Sequence, residues 1–479
     1  MKLFHRQLML WLCCALYFTS AAQTDTVVQH ISPANAFDTS VTSPLLLVAD
    51  IAIAGNKKTK PYIIEREIPF KQGDYILKKD LEAKLILAKQ QIINTSLFVY
   101  VDVYVVSQAG ELVFIKVDVK ERWYLFPLPY FKLVDRNFNQ WWVKENHSLK
   151  RVNYGLKFMQ NNFSGRNDML NVFLISGYNH EIDLKYLQPF ADRALKSGFD
   201  VRFLYSQQHE MNYGTAFSKQ LFFKQNDNFT RKTIRVEGGY LYRPAIRTRH
   251  EFKISFVHEQ VADSVVILNP NYFLNGVKEL SFPEISYSMR YYGVDNIAYP
   301  LNGFAGDVYL LQRGLSKKMD MTQLEVHGTF SHPFIGKTNL QLQAAGLIRL
   351  PFRQPYYNQQ LFGYGDIYLR GLEYYVVDGV AGAIARATER KQIFTLLFKP
   401  KYKTREFAPV PFRFFIKAFG DIGYGYSTNP GNSLLNNRLM RTWGLGLDIV
   451  SLYDAVFKFE YSINQFGEKG LFFHVQADF

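Results

Sequence analysis

Two short stretches in the last third of the chain carry residue types that could act on each other. The first holds Arg370 and Gly371, and the second holds Phe419, Asp421 and Gly423. A carboxylate inside a protein requires a cation or hydrogen-bond donors, and an arginine supplies both through its planar fork. A glycine lets a loop tip turn closely, and a glycine opposite leaves room for it. We therefore predict that a loop carrying Arg370 folds inward and pairs with Asp421.

The motifs of conventional catalysis are missing from the sequence. His5 lies near the N-terminus, and the other histidines are scattered without the spacing of a metal site. The sequence has neither a Gly-x-Ser-x-Gly elbow nor a glycine-rich phosphate loop. His327, Glu325 and Asp448 could react in principle, but their spacing indicates no reaction. We therefore expect a protein that is not an enzyme and that uses no metal or cofactor.

The elements that must position these residues are inferred from the alternation of apolar and polar side chains. A period of two dominates from about residue 150 to the C-terminus, which is typical of strands with one apolar and one polar face. Ile234, Val236 and Tyr240, for example, alternate with Arg235 and Glu237. The alternating segments start near residues 150, 168, 180, 196, 210, 232, 248, 282, 303, 320, 338, 392, 411, 439, 453 and 470.

This pattern predicts a mainly β protein with an antiparallel transmembrane β-barrel of about 16 strands over residues 150–479. An even number of strands is typical of bacterial barrels. Aromatic residues form 16% of the chain, and a barrel uses them as outward anchors and interfacial girdles. A soluble β-sandwich is the alternative, but it does not usually repeat an aromatic outer face on every strand.

The two stretches fall at defined places in the predicted barrel. The long gap between strands eleven and twelve, about 351–390, holds Arg370. It is rich in Tyr, Gly and apolar residues, so we expect a folded inward loop rather than a structureless one. Alternation in strand thirteen directs Phe419, Asp421 and Gly423 toward the lumen and the apolar residues between them toward lipid.

The last predicted strand alternates to the end of the sequence. Phe473, Val475 and Phe479 share its apolar face. A closed barrel requires that the last strand pair with the first, so we expect this strand to close the barrel. A terminal phenylalanine in this pattern also resembles the C-terminal signal recognised during outer-membrane barrel assembly.

The N-terminus is typical of a secretory signal peptide over residues 1–22. Lys2 and Arg6 give a positive start, a short apolar run follows, and small residues precede Gln23. Cleavage there would remove both cysteines, so that the mature chain could hold no disulfide and no cysteine-bound zinc. The formal charge would fall from +14 to +12. In an exported chain, we interpret this charge as a basic lumen or contact with anionic lipid rather than nucleic-acid binding.

A small α+β domain is predicted before the barrel, over residues 46–122. A polar, flexible lead-in, 23–45, precedes it, and a junction, 123–149, follows it. The predicted elements are a strand, two helices and two strands (β-α-α-β-β), at residues 47–54, 62–68, 78–94, 98–106 and 112–119.

This domain resembles a POTRA (polypeptide-transport-associated) domain. The resemblance rests on an ordered set of residues, namely Gly55-Asn56, Thr59, Gly73-Asp74, Thr95-Ser96-Leu97-Phe98 and Val119-Lys120-Glu121-Arg122-Trp123. An ordinary α+β exported domain is the alternative. The resemblance implies edge strands that accept an extended chain by β-augmentation, which suits a receptor for unfolded polypeptides.

The arrangement as a whole resembles the BamA/TamA family of barrel-assembly and translocation proteins, also called bacterial surface antigens. Their loop between strands eleven and twelve carries a Val-Arg-Gly-aromatic motif that docks on a Phe-x-Asp-x-Gly strand. Here Arg370 and Gly371 match the loop motif, and the second stretch described above matches the strand motif. Leu369 replaces valine, and Leu372 departs from the aromatic residue, with Tyr374 as a candidate for its place.

The resemblance implies an outer-membrane protein, with its POTRA-like domain in the periplasm, that inserts outer-membrane proteins or translocates client polypeptides through a seam between the first and last strands. One such domain is fewer than general assembly factors carry, which favours a dedicated role. Implied partners are unfolded outer-membrane or secreted clients and outer-membrane lipids, with periplasmic chaperones or lipoproteins as further candidates. A passive, porin-like solute channel and a structural or surface-interaction protein are the alternatives.

Overall fold

The computed structural model describes residues 45–133, 152–225, 227–365, 367–398 and 410–476. The predicted signal peptide, the lead-in up to residue 44, residues 134–149 of the predicted junction and the terminal Phe479 lie outside these ranges. Among the helices of the described ranges, none has the length and apolarity to span a membrane.

The N-terminal domain is a four-stranded sheet covered by two helices. The elements are β1 (Leu45–Ala54), α1 (Pro61–Glu65), β2 (Tyr75–Leu77), α2 (Leu81–Ile93), β3 (Phe98–Ala109) and β4 (Leu112–Glu121). The sheet has the order β2-β1-β4-β3, in which β1 and β4 are parallel and the other pairs are antiparallel.

The core of this domain forms where the alternating strands meet the apolar side of α2. Val48, Ile92 and Phe98 are fully buried there. The short strand β2, which follows the turn at Gly73, is an addition to the predicted order. Three residues give too little alternation to indicate a strand.

The large sheet has sixteen antiparallel strands within the described residues, the number predicted. Apolar residues on its outer face are exposed, for example Val236 at 51% and Ile254 at 67%, whereas several charged residues on its inner face are buried, for example Glu284 and Asp448. In sheet order, the strands are β5 (Leu125–Leu133), β6 (Val152–Asn161), β7 (Met169–Gly177), β8 (His180–Gln188), β9 (Ser197–Gln208), β12 (Arg231–Tyr242), β13 (Thr248–Val261), β14 (Glu279–Val294), β15 (Gly303–Ser316), β16 (Met319–Pro333), β17 (Thr338–Leu350), β20 (Ala381–Phe398), β21 (Val410–Tyr426), β22 (Leu439–Val450), β23 (Val456–Asn464) and β24 (Lys469–Gln476).

The identity of two strands differs from the prediction. The sheet begins with β5, inside the predicted junction. The sequence analysis did not predict this strand because Pro127 and Pro129 interrupt the usual strand signal. Proline is tolerated in an edge strand such as this one. The segment predicted near residue 210 instead forms a separate hairpin of β10 (Glu210–Ala216) and β11 (Lys219–Lys224). Alternation indicates a strand but not the sheet to which it belongs.

The expected pairing of the first and last strands is not found within the described residues. The ladder runs from β24 to β5, and each of these strands pairs with one neighbour there. Proline has no backbone N–H, so Pro127 and Pro129 remove two donors from β5. Within the ranges that the structure describes, the sheet therefore presents two edges, and the prediction of closure through its last strand was wrong there.

The small domain packs against the turns at one end of the sheet. Glu67 accepts hydrogen bonds from both terminal nitrogens of Arg243, at 2.6 and 2.7 Å, in the turn after β12. Phe190, from the turn between β8 and β9, joins the core of the small domain. Arg122 donates to Asp454 at 2.6 Å in the turn between β22 and β23. These contacts orient the domain on the sheet.

Thr59, one of the residues on which the POTRA resemblance rests, lies at this contact. Its hydroxyl accepts a hydrogen bond from Asn162 Nδ2 at 2.9 Å and lies 3.1 Å from the hydroxyl of Tyr124. Tyr124 in turn donates to the carbonyl of Leu97 at 2.9 Å. Burial raises the pKa of Tyr124, so its hydroxyl stays protonated and remains a donor.

Candidate functional site

The segment between β17 and β20 is a folded loop, here called the inner loop (residues 351–380). It starts at the end of the sheet away from the small domain. It contains a two-stranded pair, β18 (Gln360–Phe362) and β19 (Val377–Asp378). Its apolar side chains form a buried cluster with residues of the sheet. The loop is shorter than predicted, because β20 already begins at Ala381. The start of this strand was not predicted, since its alternating Ala and Gly residues give a weak apolar signal.

The structure brings Arg370 and Asp421 together. The backbone N–H and the Nε of Arg370 donate to Asp421 Oδ2, at 3.0 and 2.9 Å, and Arg370 Nη2 donates to Asp421 Oδ1. The two side chains are 9% and 0% exposed. A bidentate, buried ion pair with an added backbone bond fixes both the position and the orientation of the loop tip.

The other residues of the two predicted stretches surround this pair. Phe419 lies under the guanidinium, whose carbon is 4.0 Å from the ring centre. A side chain at Gly423 would place its Cβ 3.1 Å from Leu369, so this glycine makes room for the loop. Gly371 has φ +90°, and a Cβ there would lie 2.9 Å from Ser462 on β23. All five residues therefore lie at one contact between the inner loop and the sheet.

Leu372 itself fills the place of the expected aromatic residue. It is 4% exposed and belongs to the apolar cluster of the inner loop. Tyr374, the candidate substitute, is 75% exposed. That interpretation was wrong, because the buried space is already occupied and Tyr374 instead lies against Phe472 of β24.

A second charged cluster, which the sequence analysis missed, adjoins the pair. Lys417 Nζ lies 2.6 Å from a carboxylate oxygen of both Asp448 and Glu460, and all three side chains are at most 2% exposed. Glu460 also lies 3.9 Å from Arg370 Nη1. Alternation assigns these residues to the inner face, but only the register of β21, β22 and β23 reveals that they meet.

The residues considered for catalysis lie in two different places. His327 lies 3.0 Å from both Asp307 and Glu325. Asp448 instead contacts Lys417, and it accepts a hydrogen bond from Tyr299 at 2.9 Å. The two sets of residues therefore do not form one site.

Phe473 and Val475, from the predicted C-terminal signal, share the outer face of β24. They are 56% and 53% exposed. This is the apolar outer face that alternation predicted for them. The third residue of the signal, Phe479, lies outside the described ranges.

A cavity of about 820 Å³ lies on the inner face beside the ion pair. In the described part of the chain, its lining includes five basic and two acidic side chains, together with His327 and His474. The charged residues of the lining are Arg370, Arg386, Arg390, Lys417, Lys458, Asp307 and Glu460. The inner face is therefore basic around the loop tip.

Comparison with known proteins identifies the small domain and the fold. The family model described as "Surface antigen variable number repeat" (POTRA) matches residues 46–122. No curated protein matches the chain. BamA from Haemophilus ducreyi lacking POTRA domains 1–3 is similar in structure, with 15% sequence identity over 90% of this chain and 84% of that one and a TM-score of 0.50.

Two further solved structures give weaker similarity. CdiB from Acinetobacter baumannii is 12% identical over 90% of this chain and 73% of that one, with a TM-score of 0.44. CdiB from Escherichia coli is 11% identical over 93% and 91%, with a TM-score of 0.45. The family match and the likeness to BamA confirm the resemblance predicted from the motifs: residues 46–122 are a POTRA domain, and the chain has a BamA-type fold in which this domain precedes a 16-stranded antiparallel sheet.

Proposed function

We propose that this protein assists the insertion of outer-membrane proteins, or the translocation of client polypeptides, at the bacterial outer membrane. The observation that carries the proposal is the buried bond between Arg370 and Asp421 in a BamA-type sheet that adjoins a POTRA domain. A simple solute pore needs neither a POTRA domain nor a loop fixed so firmly inside the sheet.

The first step in this proposal is capture of an extended client by the POTRA domain. Strand β3 is an edge of its sheet, is 12 residues long and pairs with β4 on one side. An extended chain can add to such an edge through backbone hydrogen bonds, which demand little of the client's sequence. The register shifts near Tyr100 and Ser107, which leaves a regular stretch between them for pairing.

The second step takes place at the two edges of the large sheet. In the described residues β5 and β24 each leave one edge without a partner. Unpaired strand edges accept other strands, and in lipid every backbone polar group must be satisfied. A client strand that pairs with one of these edges would therefore be stabilised as it enters the membrane.

The inner loop acts as a brace in this mechanism. Arg370 ties its tip to β21, and Gly371 lets the tip approach β23. The loop thereby links two strands close to the β24 edge and keeps that part of the sheet in one shape while the edge exchanges partners. We propose no chemical reaction, cofactor or nucleic-acid partner. Outer-membrane lipids surround the exposed apolar face, and periplasmic chaperones or lipoproteins are proposed to deliver clients to the POTRA domain.

A passive channel for anionic solutes is a second candidate. The basic cavity of about 820 Å³ favours it, because a concave site of one charge sign concentrates ions of the opposite sign. The POTRA domain has no part in this alternative.

Quantitative proteomics of the outer membrane after depletion of the protein tests the proposal. Loss of a defined set of β-barrel or secreted proteins would support it and would name the clients. An unchanged outer-membrane proteome, together with anion conductance of the purified protein in planar bilayers, would contradict it and favour the channel.

A further inference from the structure

Three side chains with metal-binding atoms meet between the inner loop and the last two strands. They are Glu373 from the loop, Glu460 from β23 and His474 from β24, and one ligand atom of each lies within 4.8 Å of the others. His474 Nε2 lies 3.6 Å from Glu373 Oε1 and 3.5 Å from Glu460 Oε2. None of the three belongs to the motifs predicted from the sequence.

The three atoms are buried without a hydrogen-bond partner in the described structure. This is true of Glu373 Oε1, Glu460 Oε2 and His474 Nε2. The opposite oxygen of each carboxylate is already held. Glu373 Oε2 accepts from the N–H of Gly371 at 2.8 Å, and Glu460 Oε1 accepts from Lys417 at 2.6 Å. Buried polar atoms left without partners are uncommon, and here three of them point at one another.

The distances distinguish a shared metal ion from direct hydrogen bonds. A charge-assisted bond between imidazolium and carboxylate is about 2.7–2.9 Å long. Ligands about 2.1 Å from a tetrahedral zinc ion lie roughly 3.4 Å from each other. The separations of 3.5 and 3.6 Å fit the second arrangement. We propose that Glu373, Glu460 and His474 bind one divalent ion of the zinc type, with water as the fourth ligand.

The donor set selects the class of ion. One imidazole and two carboxylates suit zinc and similar transition metals. Calcium takes six to eight oxygen ligands, and magnesium requires an octahedral set and keeps several waters. A single imidazole with two monodentate carboxylates meets neither need.

The ion would attach the inner loop to the sheet at a second point. Arg370 already holds the tip to β21, and Glu373, three residues further on, would tie it to β23 and β24. Because β24 is an edge of the sheet, the metal would control how firmly that edge is tied to the loop. The metal site does not depend on the proposed function of the protein.

Zinc binding to the purified full-length chain tests the proposal. The protein in detergent is treated with a chelator and dialysed, and zinc is then titrated by calorimetry, with bound metal counted by mass spectrometry. We expect one equivalent of zinc, an affinity at least tenfold weaker in His474→Ala and Glu373→Gln, and little response to calcium or magnesium. The matched control is His332→Ala, because His332 is an exposed histidine on β16, and it should bind zinc as the wild-type chain does.

Two results would overturn the proposal. The first is wild-type protein that takes up no stoichiometric zinc. The second is zinc binding that His474→Ala and Glu373→Gln leave unchanged, which would locate the ion elsewhere. Folding of each variant is checked by its mobility shift on heating in SDS gels. Glu373→Gln keeps an oxygen for the N–H of Gly371, so loss of zinc in this variant cannot be attributed to a disrupted loop.

Discussion

Asp421 is fully buried on the inner face of β21, and its two oxygens accept three hydrogen bonds from Arg370. Removing one partner of a buried ion pair leaves an uncompensated charge, which destabilises a protein by about 3–5 kcal/mol. The pair is thus strong enough to decide whether the tip of the inner loop stays in place.

Arg370→Glu should release the inner loop, because two carboxylates would then face each other in a buried site. We expect a lower temperature for the heat-induced mobility shift and impaired assembly of clients. Adding Asp421→Arg should restore part of the loss, but not all of it, because the backbone N–H of Arg370 would still lack its acceptor. Arg438→Glu, the same charge change at an exposed position, is the control. A silent Arg370→Glu would refute the bracing role.

Gly371→Ala tests the close approach of the loop to β23. The residue has φ +90°, and the new Cβ would lie 2.9 Å from Ser462, so the tip must shift or strain by about 1–3 kcal/mol. Limited proteolysis should cut the inner loop faster in this variant. Gly365→Ala is the matched control, since a Cβ at Gly365 meets nothing within 4 Å. Equal cleavage in the two variants would mean that the close approach does not hold the loop.

The sequence reveals some of these residues and hides others for a physical reason. Asp421 and Phe419 are predictable, because alternation within one strand sets their face and a buried carboxylate calls for an arginine. The meeting of Lys417 with Asp448 depends on the register between strands, and that of Glu373 with His474 depends on how the inner loop folds onto β24. A shift of one residue moves every side chain to the other face, and a single sequence does not fix that shift.

At the scale of elements, a buried ion pair between Glu67 and Arg243 is one of the contacts that hold the POTRA domain to the sheet. The carboxylate is 1% exposed and receives a bidentate pair of hydrogen bonds. Arg66 stacks on Phe190 beside it, 4.2 Å from the ring centre. The domain should therefore move with the sheet as one body.

Glu67→Gln should loosen this contact, because it leaves Arg243 buried without a counter-charge. Hydrogen exchange measured by mass spectrometry should then become about tenfold faster or more across α1, whose amides report local opening. Glu65→Gln is the control, since Glu65 is exposed on the same helix. Unchanged exchange in Glu67→Gln would show that other contacts hold the domain.

Alternation of apolar and polar residues predicts most strands of the large sheet, but not all of them. Fifteen of the sixteen strands of the sheet lie at predicted segments, because each has one apolar and one polar face over most of its length. Strand β5 was not predicted because Pro127 and Pro129 weaken the alternation pattern of its sequence. The segment near residue 210 was predicted as a strand of the sheet, but it forms the β10 and β11 hairpin. The sequence does not reveal the tight turn of this hairpin, because Phe217 and Ser218, which have positive φ there, are not typical turn residues.

At the scale of the whole molecule, the proposed capture and insertion of client chains depend on strand edges. The POTRA sheet offers β3, and the large sheet offers β5 and β24 within the described residues. The inner loop, bonded at Arg370, lies close to the β24 edge and links it to the interior. This arrangement suits a protein whose substrate is another polypeptide chain that pairs through its backbone.

Site-specific photo-crosslinking in cells tests this central claim most directly. A photoreactive phenylalanine replaces Tyr100 on β3 or Phe473 on β24, both exposed aromatic residues, and Tyr240 on β12, which pairs on both sides, is the control. We predict adducts with client polypeptides from Tyr100 and Phe473 and none from Tyr240. Absence of polypeptide adducts from both edges, above the level at Tyr240, would contradict the proposed handling of client chains.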